Sequence, residues 1–276
     1  SASLKPRAGM VIKGAGMNST ILRPAPSWTP GLATLIDPVN WNGVNTSAYF
    51  FYLGNNNGNN NVTISELAMD GLKQLQGAVC GNSIDRLTIH HVYFHDFTFC
   101  GVRVIGGSQL VIHDCDFINM AVNGMDPEAG AVVFAWLSNS EFYNNEIYFA
   151  TRGVYYGNGV NAGNFYGFKG RQLTNSRIHH NTIMVNFSIE LPFDDIDRVE
   201  IDHNYMVGWL SMPKYAGGSI PASGVSCRIH HNYSSSATFA EYPRNAVEID
   251  HNLLDNPRNE AGSMLSGWTS ESAPGS

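Results

Sequence analysis

Apolar and polar residues alternate along this chain in short runs, and the runs recur in one frame. A short stretch closes on an apolar marker, two more residues follow, then a turn residue, then a second short apolar stretch. The frame is plainest in "SRIHHNTIMVN" from Ser176, "VEIDHNYMVGW" from Val199, "CRIHHNYSSSA" from Cys227 and "VEIDHNLLDNP" from Val247. The markers are Ile64, Ile89, Ile112, Phe142, Ile178, Ile201, Ile229 and Ile249, with steps of 25, 23, 30, 36, 23, 28 and 20 residues. Alternation over so few residues predicts strands, and no unit carries the 3.6-residue period of an amphipathic helix. A short constant unit with insertions of unequal length predicts an all-β parallel solenoid. One coil would form per unit, with strands stacked about 4.8 Å apart.

The turn position runs Leu67, Val92, Cys115, Asn145, Asn181, Asn204, Asn232, Asn252. Asparagine tolerates left-handed backbone, and its amide can bond to identical neighbours one coil away, so the five form an expected internal ladder. Nine of the ten histidines lie in or beside the frame. Coil stacking explains their recurrence, so they read as scaffold, although stacked imidazoles retain the capacity to bind a transition metal. Counting by twos from the markers turns Cys80, Cys100 and Cys227 inward and puts Cys115 in the ladder. Buried single thiols and a disulfide between adjacent coils both fit that placement.

Composition narrows the class. Of 276 residues only 14% are charged and 28 are glycine, as suits a turn-rich β-protein. A net charge of −7 argues against nucleic acid as a partner. No apolar run approaches the length of a membrane span, and the first residues lack the charged start and apolar core of a signal peptide. "KGAGMNST" at Lys13 lacks the spacing and the following helix of a phosphate loop. We expect one domain, 1–276, with coils over about 8–257 and a tail at 258–276. "SASLKPRAGMVIKGAG" enters a coil with no capping helix ahead of it. An open solenoid end exposes strand edges, so residues ahead of Ser1, or a separate chain, are expected to complete it.

The ladder and the unequal coils resemble the right-handed parallel β-helix proteins of the pectate-lyase-like superfamily, over roughly Ala8 to Pro257. Within it, "FSIELPFDD" and "VEIDHNYMVGWLSMPKYAGG" are similar to β-helix alginate lyases. The resemblance implies carbohydrate chemistry outside the cell, in an architecture that also serves hydrolases, epimerases and tailspikes. It also implies a cleft on the strand that follows the asparagine turn. That strand aligns as "GVRV" at Gly101, "GMDP" at Gly124, "GVYY" at Gly153, "SIEL" at Ser188 and "SMPK" at Ser211. With the second residue of each in the core, alternation turns the third to solvent, giving the column Val79, Arg103, Asp126, Tyr155, Glu190, Pro213, Ala240. Insertions at 157–175 and 214–224 are expected to overhang it as loops.

The favoured reading is a lyase acting on an acidic polysaccharide such as alginate. β-Elimination needs a cation on the uronate carboxylate, a base for the C5 proton and an acid for the departing oxygen. Arg103, with Arg152, Lys169 or Arg171, would neutralise the carboxylate. Lys214 and Tyr155 or Tyr156 would be base and acid, and Tyr166 and Tyr215 would contact sugar. The alternative is an inverting glycoside hydrolase using Asp126 and Glu190, two coils and about 9–10 Å apart. A non-catalytic adhesin or tailspike is the third reading. Calcium is the one cofactor the resemblance brings, with Glu190, Asp194 and Asp195 as its nearest acidic groups.

Overall fold

The computed structural model describes residues 3–28, 48–54, 60–120, 129–148, 165–191, 196–212, 227–239, 247–255 and 257–259. Among them there is no α-helix, and every strand pairing is parallel. The marker residues pair one after another in register, from Ile12 through Ile64, Ile89, Ile112, Phe142, Ile178, Ile201 and Ile229 to Ile249. Each pass of the chain therefore lays a strand beside its predecessor, with the same face turned to one apolar interior. From Ile64 to Ile229 these markers are completely buried. Phenylalanines stack beside them, Phe94 on Phe117 with centroids 4.6 Å apart and Phe134 on Phe142 at 5.4 Å.

Three strands run through a bend, Gly77–His95, Cys100–His113 and Tyr166–His179, and at the bend the pairing skips left-handed residues such as Ser83 and Arg86, Gly106 and Gln109, and Gln172 and Asn175. Gly107 shows what the bend demands. Its φ is +132°, and a Cβ there would lie 1.9 Å from the Ile84 carbonyl oxygen, so only glycine fits.

The asparagine ladder is present. The Nδ2 groups of Asn145, Asn181, Asn204 and Asn232 each donate to Oδ1 of the next asparagine at 2.9 Å. The same oxygens accept the backbone N–H groups of Asn145, Asn181, Asn204 and Asn232 at 2.9–3.1 Å. Cys115 continues the row, its N–H donating to Asn145 Oδ1 at 3.2 Å. One expectation is corrected. The left-handed residue is the one before each asparagine, His180, His203, His231 and His251, with φ of 52–55°. The asparagine is reserved for the amide bonds that close the turn.

A second correction concerns the expected loop at 157–175. From Tyr166 onward it is strand, and Phe168 is a core residue paired with Val132 and Ile189. All four cysteines are free and buried. Cys227 lies in the main core as expected, whereas Cys80 and Cys100 belong to a separate apolar cluster with Tyr49, Phe99 and Val133. Cys80 pairs with Arg103, between the core residues Val102 and Val104, so this cluster is on the sheet's outer face.

Candidate active site

On that outer face the paired column runs Tyr52, Cys80, Arg103, Val133, Lys169, Glu190, Ser211. The expected column is thereby re-registered. Between Arg103 and Glu190 the positions assigned to Asp126 and Tyr155 are taken by Val133 and Lys169. Glu190 faces Ser211 and not Pro213, because the pairing slips twice by one residue, from Ile183 opposite Met206 to Phe187 opposite Trp209, and again at the bulge between Phe187 and Ile189. Val79 pairs with Val102 in the core and leaves the outer face altogether.

Arg103 does project to the outer face, and there it is completely buried. Its guanidinium carbon lies 6.0 Å from the Phe99 ring centroid. Burial drives the Tyr49 phenol well above its ordinary pKa against the opposing charge of Arg103, and it pushes the Cys80 thiol up to about 12. Arg103 is thus an interior charge of the outer cluster, about three strand spacings (~14 Å) from Glu190. Alternation sets which face a residue takes, and a second apolar layer decides that the face is covered.

The groups the structure does bring together are Lys169, Glu190 and Tyr166. Lys169 Nζ is 2.7 Å from Glu190 Oε1 and 4.0 Å from the centre of the Tyr166 ring. The ion-paired side chains are only 9% and 12% exposed. Such a pair is costly to break, because either partner alone would be a desolvated charge. Arg171, half-buried, follows two residues after Lys169 on the same strand and so shares its face. Beside them runs an aromatic row that joins Tyr166, expected from the sequence to contact sugar and here buried, to Phe187 and Trp209, which sequence reasoning missed. Tyr166 packs on Phe187 at 5.0 Å, and Phe187 meets Trp209 edge-on at 5.4 Å. Trp209 is 44% exposed. Its signal was an apolar residue at a position where polar ones are expected.

Arg152, Tyr155, Tyr156, Asp126, Asp194, Asp195, Lys214 and Tyr215 lie outside the described residues. The strands bearing the cluster are continuous in sequence with three of those segments, 149–164 before Tyr166, 192–195 after Leu191 and 213–226 after Met212. Of the expected calcium groups only Glu190 is described, with Oε1 on the Lys169 ammonium.

Two other clusters have ligand atoms within 4.8 Å of one another, Asp70–His95–Asp96 and Glu200–Asp202–His230. In the first, Arg23 Nε and the Leu72 N–H bond Asp70, each at 2.9 Å. In the second, Arg177 takes both oxygens of Asp202 at 2.7 Å. Burial alone would raise the Asp202 pKa, but the bonds from Arg177 and His203 outweigh it and hold the carboxyl below its usual range. In both clusters an arginine ties the buried aspartate into the scaffold.

The architecture is thus an all-β parallel one, carrying an ion-paired, aromatic-flanked patch on an outer strand face. No protein-family model matches the sequence, and no curated protein does. Among solved structures, an alginate lyase from Paenibacillus sp. str. FPU-7 superposes with a TM-score of 0.51 at 11% identity, covering 95% of this chain and 86% of that one. This chain shares its fold. Weaker likenesses are to ORF18 of Geobacillus virus E2 (TM-score 0.46, 10% identity, 93% and 50% covered) and to DFA-IIIase from Arthrobacter chlorophenolicus A6 in complex with GF2 (0.41, 10%, 93% and 75%).

Proposed function

We propose that the chain is a right-handed parallel β-helix that acts on a polysaccharide, as a lyase cleaving a uronic-acid polymer by β-elimination, with alginate the first substrate to try. The observation that carries this reading is the Lys169–Glu190 pair under the Tyr166 ring, beside the Tyr166–Phe187–Trp209 row. The fold shared with an alginate lyase supports it. An ammonium held against a carboxylate stays charged, so Lys169 serves as a fixed cation and not as a base. Lys169 would donate a hydrogen bond to the substrate carboxylate, while Arg171, with Arg152 from the adjoining segment, would supply the net positive charge that acidifies the C5 proton. The exposed face of Trp209 would stack on a sugar ring. Lys214 would remove the proton, and Tyr155 or Tyr156 would protonate the departing oxygen. In this reading Arg103 supports the outer cluster and touches no substrate.

The Glu190–Lys169 ion pair weighs against the hydrolase, in which Glu190 would have to exchange a proton with water or with the leaving group. The test is to follow ultraviolet absorbance of unsaturated uronate with alginate, pectate and glycosaminoglycans, with and without chelator. A rise on one polymer supports the lyase and names its substrate, and a chelator-sensitive rate would add calcium to the site. New reducing ends without absorbance would shift the activity to hydrolysis. Binding without turnover would leave a glycan-binding protein.

A further inference from the structure

The left-handed position before each asparagine builds a second feature, on a different strand row from the sugar site. His180, His203, His231 and His251 stack in an exposed file, with centroids 4.9, 5.0 and 5.0 Å apart and planes within 2° of parallel. Their tautomers follow from their partners. His203 Nδ1 lies 2.7 Å from Asp202 Oδ2 and His251 Nδ1 lies 2.7 Å from Asp250 Oδ2. A carboxylate only accepts, so both Nδ1 atoms carry the proton and both Nε2 atoms keep a lone pair.

The other two imidazoles reach the same state by relay. His179 Nε2 is 2.9 Å from Glu141 Oε1 and His230 Nε2 is 2.7 Å from Glu200 Oε1, so each donates there and keeps a bare Nδ1. Those bare atoms face Nδ1 of His180 and His231 at 2.8 Å, which must therefore donate. All four stacked rings then present an unprotonated Nε2 on the outer edge of the file. Each is backed by a carboxylate, directly or through a second imidazole. That outer-shell arrangement fixes the tautomer of metal-ligating histidines. The fold does not require imidazole here, because Asp114 and Asn144 fill the equivalent left-handed position on earlier passes with φ of 52° and 53°.

The geometry points to a binding site for divalent transition-metal ions of the copper, nickel and zinc class. One ion would be shared by His180 and His203 and a second by His231 and His251. Metal–nitrogen bonds of about 2.0–2.1 Å put two nitrogens on one ion roughly 2.9–4.2 Å apart, depending on geometry. Because the in-plane lone pairs of stacked rings run parallel, neighbouring rings must rotate toward each other by roughly 50° as well as approach, and His203 and His251 have the freedom to do so, at 45% and 71% exposure. Water completes the coordination. Neutral nitrogen donors select these metals over calcium and magnesium.

The test uses untagged, chelator-stripped protein, titrated calorimetrically with Cu²⁺, Ni²⁺, Zn²⁺ and Ca²⁺, with electron paramagnetic resonance of the Cu²⁺ form. We expect two Cu²⁺ per chain, hyperfine coupling from two imidazole nitrogens per ion, and no comparable Ca²⁺ binding. The double variant His203→Asn/His251→Asn keeps a residue suited to the left-handed backbone and leaves each pair one imidazole. It should bind at least tenfold more weakly while remaining folded in chelator. Oxygen-only ligation in the wild-type spectrum, or an affinity the double variant does not change, would overturn the assignment. The spectrum decides the matter even if the variant fails to fold.

Discussion

Asn204→Ala removes the middle rung of the ladder. Asn204 Oδ1 accepts the Asn181 N–H at 3.1 Å and Asn181 Nδ2 at 2.9 Å. Its Nδ2 faces the carbonyls of Ile178 and Asp202 at 2.9 and 3.0 Å, and Asn232 Oδ1 at 2.9 Å. Alanine would leave the Asn181 backbone N–H buried without that acceptor and strip the two carbonyls of a donor. An orphaned buried polar group costs about 1–3 kcal/mol. One such donor plus two under-satisfied acceptors therefore gives a loss of about 3–5 kcal/mol. Asn252→Ala removes the same kind of acceptor, from the Asn232 N–H, but at a half-buried rung where water can substitute. It should cost only about 1 kcal/mol. Equilibrium urea unfolding gives both values, and hydrogen exchange at the Asn181 amide reads the orphaned donor directly. If Asn204→Ala stays within about 1 kcal/mol of wild type, or Asn252→Ala costs as much, the ladder does not stabilise the protein as argued.

Three further outcomes are expected. Lys169→Met strands the Glu190 carboxylate in a nearly dry position and should cost about 3–5 kcal/mol, whereas Lys169→Met/Glu190→Met should recover most of that stability without restoring polymer cleavage. A double variant as unstable as the single one would show that the ion pair is not the source. Acid should destabilise the fold in two steps. Lost hydration and neighbouring imidazoles lower the His180 and His231 pKa values, so the unfolded chain binds more protons and stability falls as pH drops below about 6.5. Asp202, held below its usual range, contributes stability that is present above about pH 4 and lost as pH falls through its lower folded value. Arg177→Gln should flatten the second step in unfolding curves taken across that range, and an unaltered step would refute the assignment. Finally, burial pushes Cys80 and Cys227 up to about 12 and Cys115 higher still. A thiol reagent should find none of the four cysteines in the folded protein and all four after denaturation, so rapid native labelling of any one contradicts the packing.

The strand rows and the ladder were legible because they depend on residues close together in sequence. Ile201, Asp202, His203 and Asn204 write a strand end and its turn in four consecutive positions, and both later units repeat the isoleucine, histidine and asparagine at the same local spacing. The site was legible only in part. "GMDP" at Gly124 and "GVYY" at Gly153 satisfy the pattern of a glycine followed by an apolar residue as well as the segments that pair there, "GAVV" at Gly130 and "YGFK" at Tyr166. Local pattern cannot choose between them, since the choice rests on which segment fills the space beside Val102 and Ile189.

The chain's own order of residues thus determined an all-β parallel architecture, its marker row and its asparagine ladder, all governed by backbone geometry and short-range hydrogen bonding. Only the tertiary structure decided that Arg103 is enclosed by an outer apolar cluster, that Lys169 meets Glu190 under Tyr166, and that four imidazoles stand in file. Lys169 and Tyr166 are neighbours on one strand, but the Lys169–Glu190 pair and the imidazole file join residues 20 or more positions apart, and loops of unequal length erase their register from the sequence. Burial and ion pairing are properties of the assembled surface, where a neighbour two passes away, Tyr49 for Arg103, can cover a charge that local alternation would leave in water.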